Sequence, residues 1–150
     1  MFLLFIAIFI FALKLMPKNK KNDMIPVYVS TSGCNVQEKK CQMNLGGINF
    51  NILIDKNIYY LKKFDVDIFV DEKYKNNIKS IKVSFKMKNM NMGINVYTLN
   101  KVLAEKQNES WKANAILPIC VSGRADWVSE LEVVIENNKY ILVFPIQVKK

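Results

Sequence analysis

The chain has 150 residues, room for one domain with a real core, and its 22 basic residues against 13 acidic ones include a single arginine, Arg124. Positive charge is therefore lysine spread along the sequence, which argues against a nucleic-acid partner, since such recognition leans on clustered charge and on arginine's forked donors. The absence of histidine removes the commonest general base and the commonest ligand for zinc and copper(II), so no enzymatic activity is expected and any transition-metal site must use sulfur or oxygen.

Residues Met1 to Leu13 are continuously apolar, with Lys14 the first interruption before Leu15, Met16 and Pro17. At about 1.5 Å per residue such a run reaches about 20 Å, short of the roughly 30 Å hydrocarbon layer, although Leu15, Met16 and a snorkelling Lys14 extend it. No small-x-small cleavage site follows, which favours an uncleaved anchor over residues 1–16 rather than a removed signal. Lysines 14, 18, 20 and 21 follow the apolar run and none precedes it, which by the positive-inside rule alone would hold the domain in the cytoplasm. The cysteines fit an oxidising compartment better, so the expectation is a single-pass inner-membrane protein with its domain facing the periplasm. Residues 17–24 form a polar linker and 25–150 the domain.

From Ile25 onward, short apolar runs are divided by Gly, Asn, Asp and Lys. The predicted strands are Ile25 to Ser30, Lys40 to Leu45, Ile48 to Ile54, Phe64 to Val70, Ile78 to Met87, Gly93 to Leu99, Trp111 to Leu117, Trp127 to Ile135 and Tyr140 to Val148. Phe64, Val66, Ile68 and Val70 alternate with Asp65 and Asp67, and Leu131, Val133 and Ile135 with Glu130 and Glu132, the pattern of strands buried on one face. With no amphipathic segment of ten or more residues, the expected fold is all-β, an immunoglobulin-like Greek-key sandwich preceded by one N-terminal membrane helix.

Between Phe85 and Tyr97, three of the seven methionines fall within six positions. Ile81, Val83, Phe85 and Met87 share one face and Lys82, Ser84, Lys86 and Lys88 the other, so continued alternation would put Met90 and Met92 on the lysine face and turn Asn89 and Asn91 inward. Either the strand ends near Asn89 in a bend closed by Gly93, or Met90 and Met92 are displayed at a surface. The first restores an ordinary core; the second makes a binding site.

Cys34 and Cys41 flank a six-residue loop between two predicted strands and are expected to form a disulfide. The alternative, a redox pair, lacks the C-x-x-C spacing and any evident source of a lowered thiol pKa. Cys120 is left over, in a loop that also holds Arg124, Asp126 and Trp127. It is either a buried apolar thiol or a third soft ligand beside Met90 and Met92, and thiolate with thioethers selects copper(I). Gly46-Gly47 is too small a signal for a phosphate loop, and Asn108-Glu109-Ser110 matches the glycosylation triplet but is equally explained by a turn before Trp111.

Met90-Asn91-Met92-Gly93, the aromatic Trp111 opening a strand, Leu117-Pro118-Ile119-Cys120 and Gly123-Arg124-Ala125-Asp126-Trp127, with Cys34 and Cys41 in register, resemble a family of small exported bacterial proteins related to the FixH and YtkA-like domains. The resemblance covers about Ile25 to Val148 and implies a membrane-anchored β-sandwich linked to copper handling or respiratory oxidase maturation. Relatives that carry a His-and-Met copper motif differ here, since this chain has no histidine. Two functions are thus expected to compete: an accessory protein presenting copper(I) through Met90, Met92 and Cys120 to a copper-handling or other membrane protein, and a metal-free interaction module on the membrane surface that docks through a sheet edge or its lysine face.

Overall fold

The computed structural model describes residues 24–31, 33–74, 76–88, 90, 93–102, 108–119 and 126–149. The expected anchor over residues 1–16 and nearly all of the linker lie outside these, and no helix among the described residues is long and apolar enough to cross a membrane. What is described is an all-β sandwich.

Its strands are β1 (Pro26–Val29), β2 (Cys41–Leu45), β3 (Ile48–Ile54), β4 (Ile58–Tyr59), β5 (Lys63–Asp71), β6 (Ile78–Met87), β7 (Val96–Thr98), β8 (Asn100–Val102), β9 (Asn108–Ile116), β10 (Trp127–Ile135), β11 (Asn138–Ile146) and β12 (Val148–Lys149). One sheet runs β1-β11-β10-β6-β7 and the other β2-β3-β5-β9-β8, while β4 and β12 make a short parallel pair. Consecutive strands β6 and β7, β8 and β9, and β10 and β11 pair within a sheet, whereas the chain changes sheet between β5 and β6, β7 and β8, and β9 and β10.

Alternation in the sequence drives this layering. Phe64, Val66, Ile68 and Val70 of β5 and Ile81, Val83, Phe85 and Met87 of β6 are all buried, and Phe64 meets Phe85 edge-on across the two layers with ring centroids 5.2 Å apart. Each fully buried side chain of this size contributes about 1.5–3 kcal/mol relative to exposure, so a one-residue slip of register would turn an entire row to water. Gly46 and Gly47 close the β2–β3 hairpin at φ of 58° and 82°, the left-handed pair that a two-residue turn needs.

Strand bounds depart from the sequence reading in several places, the expected Tyr140 to Val148 among them, which is Asn138–Ile146 followed by the separate β12. The stretch expected as a strand from Gly93 to Leu99 is regular only over Val96–Thr98, because Leu99 is where the chain leaves one sheet for the other. Asn108 to Ser110 opens β9 rather than forming a turn, with Ser110 buried and its hydroxyl donating to the Val102 carbonyl. Strands β4 and β8, with two and three residues, are too short to show a period.

Candidate functional site

Two regions carry the residues of interest, the end of the sandwich reached by Met87 and the side closed by β7. At the first, β6 stops at Met87, which is buried and pairs with Trp127 at the start of β10. The chain then turns back. The Met90 N–H donates to the Met87 carbonyl at 3.2 Å, and Met90 is half-buried against the core rather than held on the lysine face. The strand therefore ends before Asn89, and Gly93 follows at φ 72°, a left-handed value that a side chain would strain. Met90 is not on a strand beyond β6, so alternation does not fix its direction relative to Met92. Met92 and Cys120 lie outside the described residues. Residues that flank the two segments containing them meet at this end, the Lys88 N–H donating to the Asp126 carbonyl at 3.3 Å. Trp127 floors this end, its Nε1 donating to the Tyr60 hydroxyl at 3.2 Å.

Cys34 and Cys41 are joined, with a Cα–Cα distance of 5.9 Å. The loop they close is also stitched to the body: Val36 is fully buried, its carbonyl accepts from Ile54, and Gln37 donates to the Asp55 and Gln147 carbonyls while accepting from the Gln147 N–H. Nothing local in the sequence marks Gln37 as a core residue; only its 6% exposure and its three bonds to Asp55 and Gln147, far along the chain, do.

At the second region, Tyr97 projects from β7 across the side of the sandwich. Its hydroxyl donates to the Ile116 carbonyl at 2.7 Å and accepts from the Ile116 N–H at 3.1 Å, so it takes the place of a strand partner at the edge of β9. Beside it lies a shallow depression of about 450 Å³ bordered by Leu61, Ile94, Asn95, Val96, Ile116 and Pro118. Ile94 is 96% exposed and Leu61 62%, a contiguous apolar display on an otherwise lysine-rich surface. Leu61 sits at φ 58°, a conformation that costs a branched side chain of order 1–3 kcal/mol and persists only where the surroundings impose it, here through its N–H donating to the Leu117 carbonyl. Asn95 also borders the depression, and its Oδ1 is buried without a hydrogen-bond partner among the described residues. A second depression, of about 590 Å³, shares Val96 and Tyr97 and continues along β7 toward Asn100 and Asn114.

The sequence pattern gave no warning of this surface, because Leu61, Ile116 and Pro118 come from segments far from the stretch that holds Ile94, Asn95, Val96 and Tyr97. Asp71 is held below the ordinary carboxylate range, first by the Lys73 backbone N–H it accepts and then by the Lys73 ammonium at 3.3 Å, and Lys73 is raised in return, but both are fully exposed. No group of three or more Cys, Asp or Glu that could hold a metal ion occurs among the described residues. No protein-family model matches the chain, and comparison with the curated proteins and with the solved structures returns no match.

Proposed function

We propose that this chain is an exported, membrane-tethered sandwich that works without catalysis as an interaction module. The observation that carries the reading is the apolar band of Leu61, Ile94, Val96 and Ile116 exposed beside an open sheet edge on a strongly basic chain, where a monomer without a partner would keep polar side chains. The disulfide supports an extracytoplasmic location, hence the periplasmic side of the inner membrane with the apolar residues 1–16 as anchor. The strand order supports the finer architecture, an immunoglobulin-like Greek key, because β5 and β9 lie together in one layer and β6, β10 and β11 in the other. Photo-crosslinking residues placed at Val27, Lys86 and Val96 of the full chain in cells test the reading. A discrete adduct from one of these surfaces is expected; none from any would remove it. Reporter fusions at Lys150 test the location, and cytoplasmic reporter activity would overturn it.

One observation favours a second reading, the copper(I) site of Met90, Met92 and Cys120 that goes with the FixH and YtkA resemblance and with respiratory oxidase maturation. The bond from Lys88 to Asp126 and the pairing of Met87 with Trp127 join described residues that flank the two segments at one end of the sandwich, which supports such a site. Competition against a copper(I) chelator under reducing conditions tests it. Uptake of one equivalent, weakened by Met92→Ala and by Cys120→Ala, supports the site, and no uptake removes it.

A further inference from the structure

We propose that the open edge of β7 is a strand-addition site, taking an extended segment of a partner protein that is apolar on the face turned to Tyr97 and acidic on the face turned outward. This rests on the reading of the domain as an interaction module and specifies the chemistry of its partner.

The register decides which backbone groups are available. Phe85 N–H donates to the Asn95 carbonyl at 3.0 Å and Leu99 N–H to the Ile81 carbonyl at 2.9 Å, so in this antiparallel ladder residues 95, 97 and 99 address β6. Val96 and Thr98 therefore direct their N–H and C=O groups away from it, and neither has a backbone partner there among the described residues. An added strand would find both donors and both acceptors ready. The other outer strand of the same sheet, β1, opens on Pro26, which has no N–H to offer, and β2 turns the polar Gln42 and Asn44 outward.

Side chains supply the selectivity. A guest residue opposite Tyr97 points inward, as Tyr97 does, toward the depression bordered by Leu61, Ile94, Ile116 and Pro118, and an apolar side chain fits there. Asn95 Oδ1 is buried at the same place and has no hydrogen-bond partner among the described residues. Guest residues on the alternate positions face outward on the same side of the sheet as Lys82, which lies one strand further in, opposite Thr98 on β7 and Glu132 on β10. Lys86, Lys112 and Lys139 each hold a carboxylate at 3.0 to 3.1 Å, whereas Lys82 has no ion-pair partner among the described residues. Carboxylates in the guest segment complement that charge.

The test uses the full chain in detergent and, as probe, the peptide acetyl-Glu-Val-Glu-Val-Glu-Val-Glu-amide, with amide hydrogen exchange as readout. Slowed exchange at Val96 and Thr98 is expected, together with at least tenfold weaker binding of the same peptide N-methylated throughout and of a version with lysine for glutamate at low salt. Thr98→Pro, which removes a donor that β6 does not use, is expected to weaken the probe at least tenfold, and Ile94→Asp, at a fully solvated position, at least fivefold. Absence of binding, binding without protection at Val96 and Thr98, or equal binding of the N-methylated peptide would overturn the proposal. Protection at β1 or β2 instead would remove the β7 assignment while leaving the module reading in place, and that reading has its own test in the cellular crosslinks.

Discussion

Reduction of the Cys34–Cys41 bond isolates how the loop before β2 is held. The two cysteines are seven apart, so the closed ring contains about eight residues, and the chain-entropy relation gives a loss of about 2.5 kcal/mol on opening it. The native loop should survive, because Val36 stays buried and Gln37 keeps its bonds to Asp55 and Gln147, so the effect arises in the unfolded chain. With a urea m-value of about 2 kcal/mol per molar for a domain this size, the midpoint should fall by about 1.2 M in reductant with m nearly unchanged. Cys34→Ala, which removes the half-buried partner and leaves the fully buried Cys41 side chain in the core, should match the reduced wild type within about 0.5 kcal/mol. A midpoint shift under about 0.3 M would refute the reasoning and show that burial of Val36 and Gln37, not the covalent bond, fixes the loop.

Met87→Ala should cost about 2–5 kcal/mol in urea unfolding as a core truncation, and Met90→Ala clearly less, because Met87 is 2% exposed and Met90 only half-buried; equal costs would place Met90 in the core proper. Gln37→Ala should cost about 2–4 kcal/mol, since it strands the Asp55 and Gln147 carbonyls and the Gln147 N–H, and a loss under about 1 kcal/mol would mean that water replaces the amide. Gly46→Ala should cost at least about 1 kcal/mol, with the new Cβ 2.8 Å from the Tyr140 hydroxyl and φ at 58°, and the Tyr140→Phe background should recover only the steric part. Tyr97→Phe should lower the melting temperature modestly and speed amide exchange at Ile116, which loses the hydroxyl that accepts its proton; unchanged exchange there would show that the contact does not hold the edge of β9.

What the residues decided by themselves was local. The period-2 rows of Phe64 to Val70, Ile81 to Met87 and Trp127 to Ile135 had to become one-sided strands, since any other backbone would leave half of each row in water, and those strands appear where the rows are. The same holds for Cys34 and Cys41, close enough in sequence to bond once a turn forms between them. Tertiary structure decided what no short window contains. Whether Met90 faced outward depended on where β6 met its end at Trp127, and the half-buried outcome followed from the turn that pairing imposed. The side surface of Leu61, Ile94, Asn95 and Tyr97 follows from the chain changing sheet at Leu99, which leaves Val96 and Thr98 without a strand partner on their outer side among the described residues and puts Tyr97 against Ile116. A strand edge becomes open or closed through pairing with residues far along the chain, so the interaction surface was settled by packing and not by pattern.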